Sequence, residues 1–105
     1  MSKGYVIFTE QIRNLEALTA YTLAAVPSVI AAGGKAVIAG PPERVVEGNW
    51  HGDTTVVLEF DSVEAASAWY HGPSYQAVIG QRHGAATSNV AIFAAFELPA
   101  SHAPA

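Results

Sequence analysis

Residues 54–83, TTVVLEFDSVEAASAWYHGPSYQAVIGQRH, limit the fold of this chain more than any other stretch. Thr54 to Phe60 is a β-branched, apolar run and reads as a buried strand. Asp61 is then expected to cap a helix, with Glu64 completing a capping box. Val63, Ala66 and Tyr70 define the inner face of that helix, and Trp69 falls on its flank. Gly72-Pro73 breaks it, and Pro73 can open a second, shorter helix. On this second helix Tyr75, Val78, Ile79 and Arg82 lie along one side. The chain has only five Lys and Arg residues, so placing one of them on a largely apolar face hints at a pocket.

The remaining elements follow from the same kind of reading. Gly4 to Ile12 is a strand whose two parities are both largely apolar, Tyr5 and Ile7 on one and Val6 and Phe8 on the other. Such a strand is expected to be covered on both sides. Asn14 can cap a helix in which Leu15, Leu18, Thr22, Ala25 and Val29 keep helical spacing. Pro27 should kink this helix or end a first segment of it, and Gly33-Gly34 should stop it. Lys35 to Ala39 reads as a short strand, and Arg44 to Glu47 as a further extended piece after Gly40-Pro41-Pro42. Gly48-Asn49 marks a turn. Ser88 to Glu97 reads as the last strand. The order β-α-β-β-α-β, with an extra half-helix, is the ferredoxin-like pattern of an α+β fold with an antiparallel sheet. One such domain is expected over residues 1–97, with a frayed tail at 98–105.

Composition narrows the partners. Hydrophobic residues make up 50% of the 105 residues and charged residues only 13%, against roughly a quarter in ordinary domains. A small chain with so little charge is expected to cover part of its surface with another copy of itself, as a homodimer. A ferredoxin-like sheet has helices on one face only. A second copy packed sheet against sheet would also cover strands that are apolar on both sides. The net charge is −4 and the cations Lys3, Arg13, Lys35, Arg44 and Arg82 are scattered, which argues against nucleic-acid binding. With no cysteine there are no disulfides, thiolate metal sites or Cys nucleophile. No apolar run approaches the ~20 residues that span a membrane, and MSKGYVIFTEQ does not read as a secretory leader. A cytoplasmic location is the expectation.

Four segments together resemble the domain of unknown function 1330 family. They are GYVIFTEQ, the helix end Gly33-Gly34-Lys35, the run Val45-Val46-Glu47-Gly48-Asn49-Trp50, and VVLEFDSVEAASAWYHGPSYQAV. The likeness runs from about residue 3 to 97. It implies a dimeric α+β barrel, in which two ferredoxin-like sheets pair. Related superfamily members include cofactor-free monooxygenases, muconolactone isomerase, haem-degrading enzymes and stress-response dimers. The resemblance also implies that Glu47 and Arg82 match a recurring Glu and Arg. Around that Arg the chain departs from the family's aliphatic neighbourhood, with Gly80 and His83.

Among residues able to do chemistry, Arg82 comes first. Its guanidinium does not lose its proton, so when buried it needs an anionic partner or ligand. It could hold a carboxylate or enolate-like oxygen, or pair structurally with Glu47, Glu59 or Glu97. Glu59, set in an apolar strand, could act as a general base or as a structural partner. Glu10 has the same ambiguity. His51, His71 and His83 are natural acid–base groups near neutral pH, but their spacing matches no compact metal motif. No metal site is expected. Tyr21, Trp50, Trp69, Tyr70 and Tyr75 supply aromatic walls, though aromatics at helical spacing are usually core, and a cavity lined by Tyr21, Tyr70 and Arg82 would fit a small aromatic or lactone-like ligand. There is no Gly-rich phosphate loop.

These residues suit a small enzyme that needs no cofactor and acts on a small hydrophobic organic acid, ketone or lactone. Arg82 would hold an oxygen while Glu47, Glu59 or His51 moves a proton; Tyr21, Trp50, Tyr70, Tyr75 and His83 would line the site. Isomerase, lyase, hydrolase and monooxygenase chemistry all fit. A non-catalytic ligand-binding or structural dimer is the alternative, and haem binding through His51 or His83 a weaker one.

Overall fold

The computed structural model describes residues 2–98. The elements are β1 (Gly4–Ile12), α1 (Leu15–Ala31), β2 (Lys35–Gly40), β3 (Thr54–Phe60), α2 (Val63–His71), α3 (Pro73–Gln76), α4 (Ile79–Ala85) and β4 (Ala86–Ala94). The four strands form one antiparallel sheet in the order β2-β3-β1-β4. This is the expected ferredoxin-like α+β arrangement. β1 is central, pairing Val6 with Leu58 on one side and with Ile92 on the other. Because side chains alternate along a strand, Val6, Phe8 and Glu10 face the helices. Tyr5, Ile7 and Thr9 face the other way.

Side-chain caps and helical spacing set the helix bounds. The Asn14 Oδ1 accepts from the Ala17 amide at 3.0 Å and starts α1. Leu18, Tyr21, Ala25 and Val29 form its buried stripe. Of the two courses expected at Pro27, a kink or an end, the helix does not end there; α1 runs through it to Ala31. The carbonyl deprived of a donor belongs to Leu23, four residues back. Leu23 is exposed, so water can satisfy that group. The helix stops at Gly33, whose φ of 76° suits glycine. The Gly34 amide reaches the Val29 carbonyl at 2.9 Å, and the Gly33 amide reaches Ile30 at 3.0 Å. These two bonds close a Schellman motif.

Elsewhere the elements depart from expectation in definite ways. α2 is capped by Ser62, not Asp61: the Ser62 Oγ accepts from the Ala65 amide at 3.0 Å. Asp61 instead pairs with Lys3 at 3.3 Å. With the cap at Ser62, Glu64 is one residue short of the capping-box position. Trp69, expected on the flank, is buried with Ala66, while Tyr70 is only half-buried. Trp69 stacks on Phe60 with ring centroids 5.5 Å apart, and lies 4.2 Å from the Tyr75 ring. Its Nε1 donates to Ser28 Oγ at 3.0 Å, joining α2 to α1. Burying such a side chain contributes about 1.5–3 kcal/mol. Arg44 to Glu47 forms no strand and lies in an exposed connection between β2 and β3. β4 starts at Ala86 and ends at Ala94, two residues earlier than expected at its start and three at its end. Most of the expected tail falls at 99–105, outside the described residues.

The two sides of the sheet differ. The helix side buries Val6, Phe8, Leu58 and Phe60 beneath α1 and α2. On the other side Ile38 is 55% and Phe93 52% exposed in the single chain.

Ser62→Ala is therefore expected to lower stability by about 1 kcal/mol. Asp61→Ala removes only an exposed ion pair and should stay within about 0.5 kcal/mol of the parent. Denaturant midpoints compare the two; a larger loss at Asp61 would contradict the assigned cap.

Candidate functional site

On the helix side of the sheet, polar groups from five elements meet in an otherwise apolar layer. β1 contributes Glu10, which shares its parity with Val6 and Phe8 and is only 4% exposed. Ser88, its partner across the β1–β4 ladder, donates to Glu10 Oε2 at 3.2 Å. Burial raises the Glu10 carboxyl above its ordinary pKa. The Ser88 bond and the Arg82 charge pull it back only in part.

Arg82 enters this layer from α4. The Gly72-Pro73 break and the short α3 turn the chain so that Tyr75 and Arg82 both point inward. Tyr75 is fully buried and Arg82 only 3% exposed. Arg82 Nε donates to the Tyr75 hydroxyl at 3.1 Å. That hydroxyl lies 2.6 Å from the hydroxyl of Tyr21, on α1. The guanidinium carbon lies 5.4 Å from the Phe8 ring centroid, within cation–π range. Burial works against the Arg82 charge, but the Tyr75 bond and the neighbouring phenols outweigh it, so the group stays protonated. Burial pushes the hydroxyls of Tyr21 and Tyr75 above the usual tyrosine range.

Among the described residues no carboxylate lies within 4.0 Å of Arg82. The structural ion pair expected with Glu47, Glu59 or Glu97 does not form there. Beside this cluster is a cavity of about 80 Å³ between the sheet and α1. Phe8, Glu10, Tyr21, Val56, Leu58 and Trp69 line it, and it borders Thr22 and Val26 on α1. The hydrogen-bonded row Arg82–Tyr75–Tyr21 therefore ends at a wall that also presents Glu10.

The other residues singled out in the sequence lie apart from this cavity. Tyr70 packs edge-on to Trp69 at 6.1 Å and meets the Tyr75 ring at 5.3 Å, so it supports the cluster from outside. His83 is exposed, its Nε2 3.5 Å from Arg82 Nη2. Glu59 is on the opposite side of the sheet, where it accepts from the Tyr5 hydroxyl at 3.0 Å and pairs with Lys35 at 3.6 Å. His51 is on that side too, its Nδ1 2.8 Å from Thr9 Oγ1. Trp50 Nε1 donates to Thr55 Oγ1 at 3.0 Å. Glu47 is exposed in the β2–β3 connection and helps line an open groove of about 490 Å³ with Ile38, Val46 and Trp50.

The sheet thus separates Arg82, Tyr21 and Tyr75 from Glu47, Glu59, His51 and Trp50. The carboxylate on the Arg82 side is Glu10, for which the sequence left open a general base or a structural partner. Its parity with Val6 and Phe8 was the available signal. Among the described residues no cluster of three His, Asp or Glu side chains could hold a metal ion, and no helix is long and apolar enough to cross a membrane.

Comparison with known proteins agrees with this fold. No curated protein sequence matches the chain. A solved structure of a protein of unknown function from Rhodopseudomonas palustris superposes with a TM-score of 0.76 at 22% identity, covering 92% of this chain and 85% of that one. SnoaB, a cofactor-independent oxygenase from Streptomyces nogalater, gives a TM-score of 0.68 at 9% identity, covering 93% and 97%. A dimeric ferredoxin-like protein of unknown function from Thermobifida fusca gives 0.61 at 16%, covering 90% and 92%. These likenesses establish the fold, that of the ferredoxin-like dimeric α+β barrel proteins. The family model described as domain of unknown function (DUF1330) matches residues 3–96, nearly the whole chain, and the chain belongs to that family.

Proposed function

We propose that this chain is a homodimeric enzyme that uses acid–base chemistry on a small hydrophobic organic acid, ketone or lactone held between the sheet and α1. One observation carries the reading. A buried, protonated guanidinium has no carboxylate partner among the described residues and is linked through two tyrosine hydroxyls to an apolar cavity. Nε donates to Tyr75, and either phenol can donate in the Tyr75–Tyr21 bond; when a ligand oxygen enters the cavity, Tyr75 donating to Tyr21 frees the Tyr21 proton for that oxygen. Hydrogen bonds aligned behind a donor polarise it. A fixed donor in a dry site stabilises negative charge developing on oxygen better than water does. The Streptomyces oxygenase shows that this fold can host chemistry without a cofactor. At that identity it lends no residue roles.

The homodimer follows from the other side of the sheet. Ile38, Phe93 and Trp50 are apolar and exposed there, and two sheets pack face to face about 10 Å apart. A second copy would cover them together with Glu59 and His51. The Thermobifida fusca relative is described as dimeric. A non-catalytic ligand-binding dimer would share this architecture and differs only in lacking turnover.

Two outcomes are expected. In sedimentation equilibrium at micromolar concentration the chain should run at twice its 11.0 kDa mass. Phe93→Glu should shift it toward the single mass, because an unpaired charge would be buried in the joint; a monomeric parent chain would refute the dimer. Arg82→Met should leave stability within about 1 kcal/mol of the parent or raise it, since a site residue without an ion pair is held for function. The same change should abolish ligand response. The readout is Trp69 fluorescence in a Trp50→Phe background, titrated with small keto acids and lactones. A large stability loss, with no ligand response in the parent, would identify Arg82 as a structural cation instead.

A further inference from the structure

We infer that Glu10 is the proton-abstracting base of this pocket and that its substrate is a carbon acid, a small ketone or lactone with a C–H bond next to its carbonyl. This rests on the pocket reading above and deepens it. Three features of the surroundings support the assignment. Glu10 lines the same cavity as Tyr21, so base and oxyanion donor border one space. Among the described residues its one side-chain hydrogen bond comes from Ser88, which touches Oε2, and no donor occupies Oε1. No cation among the described residues lies within 4.0 Å, so no ion pair there neutralises the carboxylate.

A buried carboxylate held this way is costly for the fold. Removing a proton from carbon is a task that calls for it. The base must be stripped of water and be basic enough to take the proton, and a donor must meet the charge that appears on oxygen. The remaining walls (Phe8, Val56, Leu58 and Trp69) are hydrocarbon or aromatic and suit the apolar part of such a molecule. At about 80 Å³ the half-open cavity takes the reacting end of the substrate. The rest would extend past Thr22 and Val26, which border the cavity on the exposed side of α1.

The step balances within the site. The α C–H bond breaks and its proton passes to Glu10. Its electron pair becomes the C=C of an enolate, as the carbonyl π pair moves onto oxygen. That oxygen accepts from the Tyr21 hydroxyl, backed by Tyr75 and Arg82. Glu10 then returns the proton, either to the same carbon or to the far end of a conjugated system. The second course shifts a double bond. No oxidant, reductant or other co-reactant is consumed.

The test uses the full chain in heavy water with cyclopentanone and a methyl-substituted β,γ-butenolide as probes. Deuterium entering the α position, and double-bond migration in the butenolide, are followed by proton NMR. The parent protein should accelerate both above buffer. Glu10→Gln should slow exchange by about 10²-fold or more, Glu10→Asp should recover part of it, and Tyr21→Phe should cost about 10²-fold. Probe binding, read from Trp69 fluorescence in the Trp50→Phe background, should survive Glu10→Gln.

Stability gives a separate readout. The charged group facing Glu10 is Arg82, and the neutral Tyr21 phenol is the titratable group beside it. Because burial raises the Glu10 carboxyl in the folded chain, its neutral form favours folding. That contribution is complete below the unfolded-chain pKa and is lost as pH rises through the folded value. Glu10→Gln should therefore raise Tm at neutral pH and leave it unchanged in acid, whereas a structural carboxylate would lose stability on the same substitution. If the probes bind but the parent and Glu10→Gln exchange at the same rate, the assignment of Glu10 is overturned and the pocket stands. If no probe binds, the pocket reading falls with it.

Discussion

The alternation of side chains along β1 decides which compartment each polar group of this protein enters. β1 is hydrogen-bonded on both edges, to β3 and to β4, so its register is fixed twice. Slipping it by one residue would exchange its faces. Glu10 would leave the helix layer, and Thr9, which holds His51, would enter it. The other strands follow this register. Leu58 and Ile92 sit beside Val6 on the inner face, Glu59 and Phe93 beside Tyr5 on the outer one.

Given that division, a guanidinium among aromatic rings is a consistent arrangement. Arg82 is planar and weakly hydrated, and it can donate in its plane while an aromatic ring lies against it. Tyr75 meets the first requirement and Phe8 the second. The rings also make the layer rigid. Trp69 touches Phe60, Phe8, Tyr70 and Tyr75, and its indole N–H is spent on Ser28. The polar row is thus embedded in packed rings, and its Tyr21 end borders the small cavity.

What the sequence disclosed follows from which signals are local. Strand composition, Gly-Pro breaks and helical spacing are local, and they located most of the elements; the single short helix expected to carry Tyr75 and Arg82 is instead two, α3 and α4, parted by a turn at Ala77-Val78. Asn14 and Gly33 announced the ends of α1. The cap of α2 was misassigned because Asp61 and Ser62 are both good caps, and only the Ser62 oxygen reaches the Ala65 amide. Trp69 was hidden by an Ala-rich helix, whose small side chains leave the inner face undefined until it is docked. The partners of Arg82 were not legible, since they depend on which strand face carries each acid. Glu59 shares its parity with Val57, and Val57 faces outward. Glu10 shares its parity with Phe8, which faces inward. Only the pairing of strands with helices distinguishes the two, and that information is not local.

The two faces are also joined through the backbone of β1. The Asp53 amide donates to the Glu10 carbonyl at 2.7 Å, and the Asp53 carboxylate accepts from the Ile12 amide at 2.9 Å and from Gln11 at 3.0 Å. Gly52, with φ of 86°, lies so close to Glu10 that an added Cβ would come within 2.4 Å of its carbonyl oxygen. The segment that presents Trp50 and His51 to the outer face therefore clamps the residue that carries the buried carboxylate.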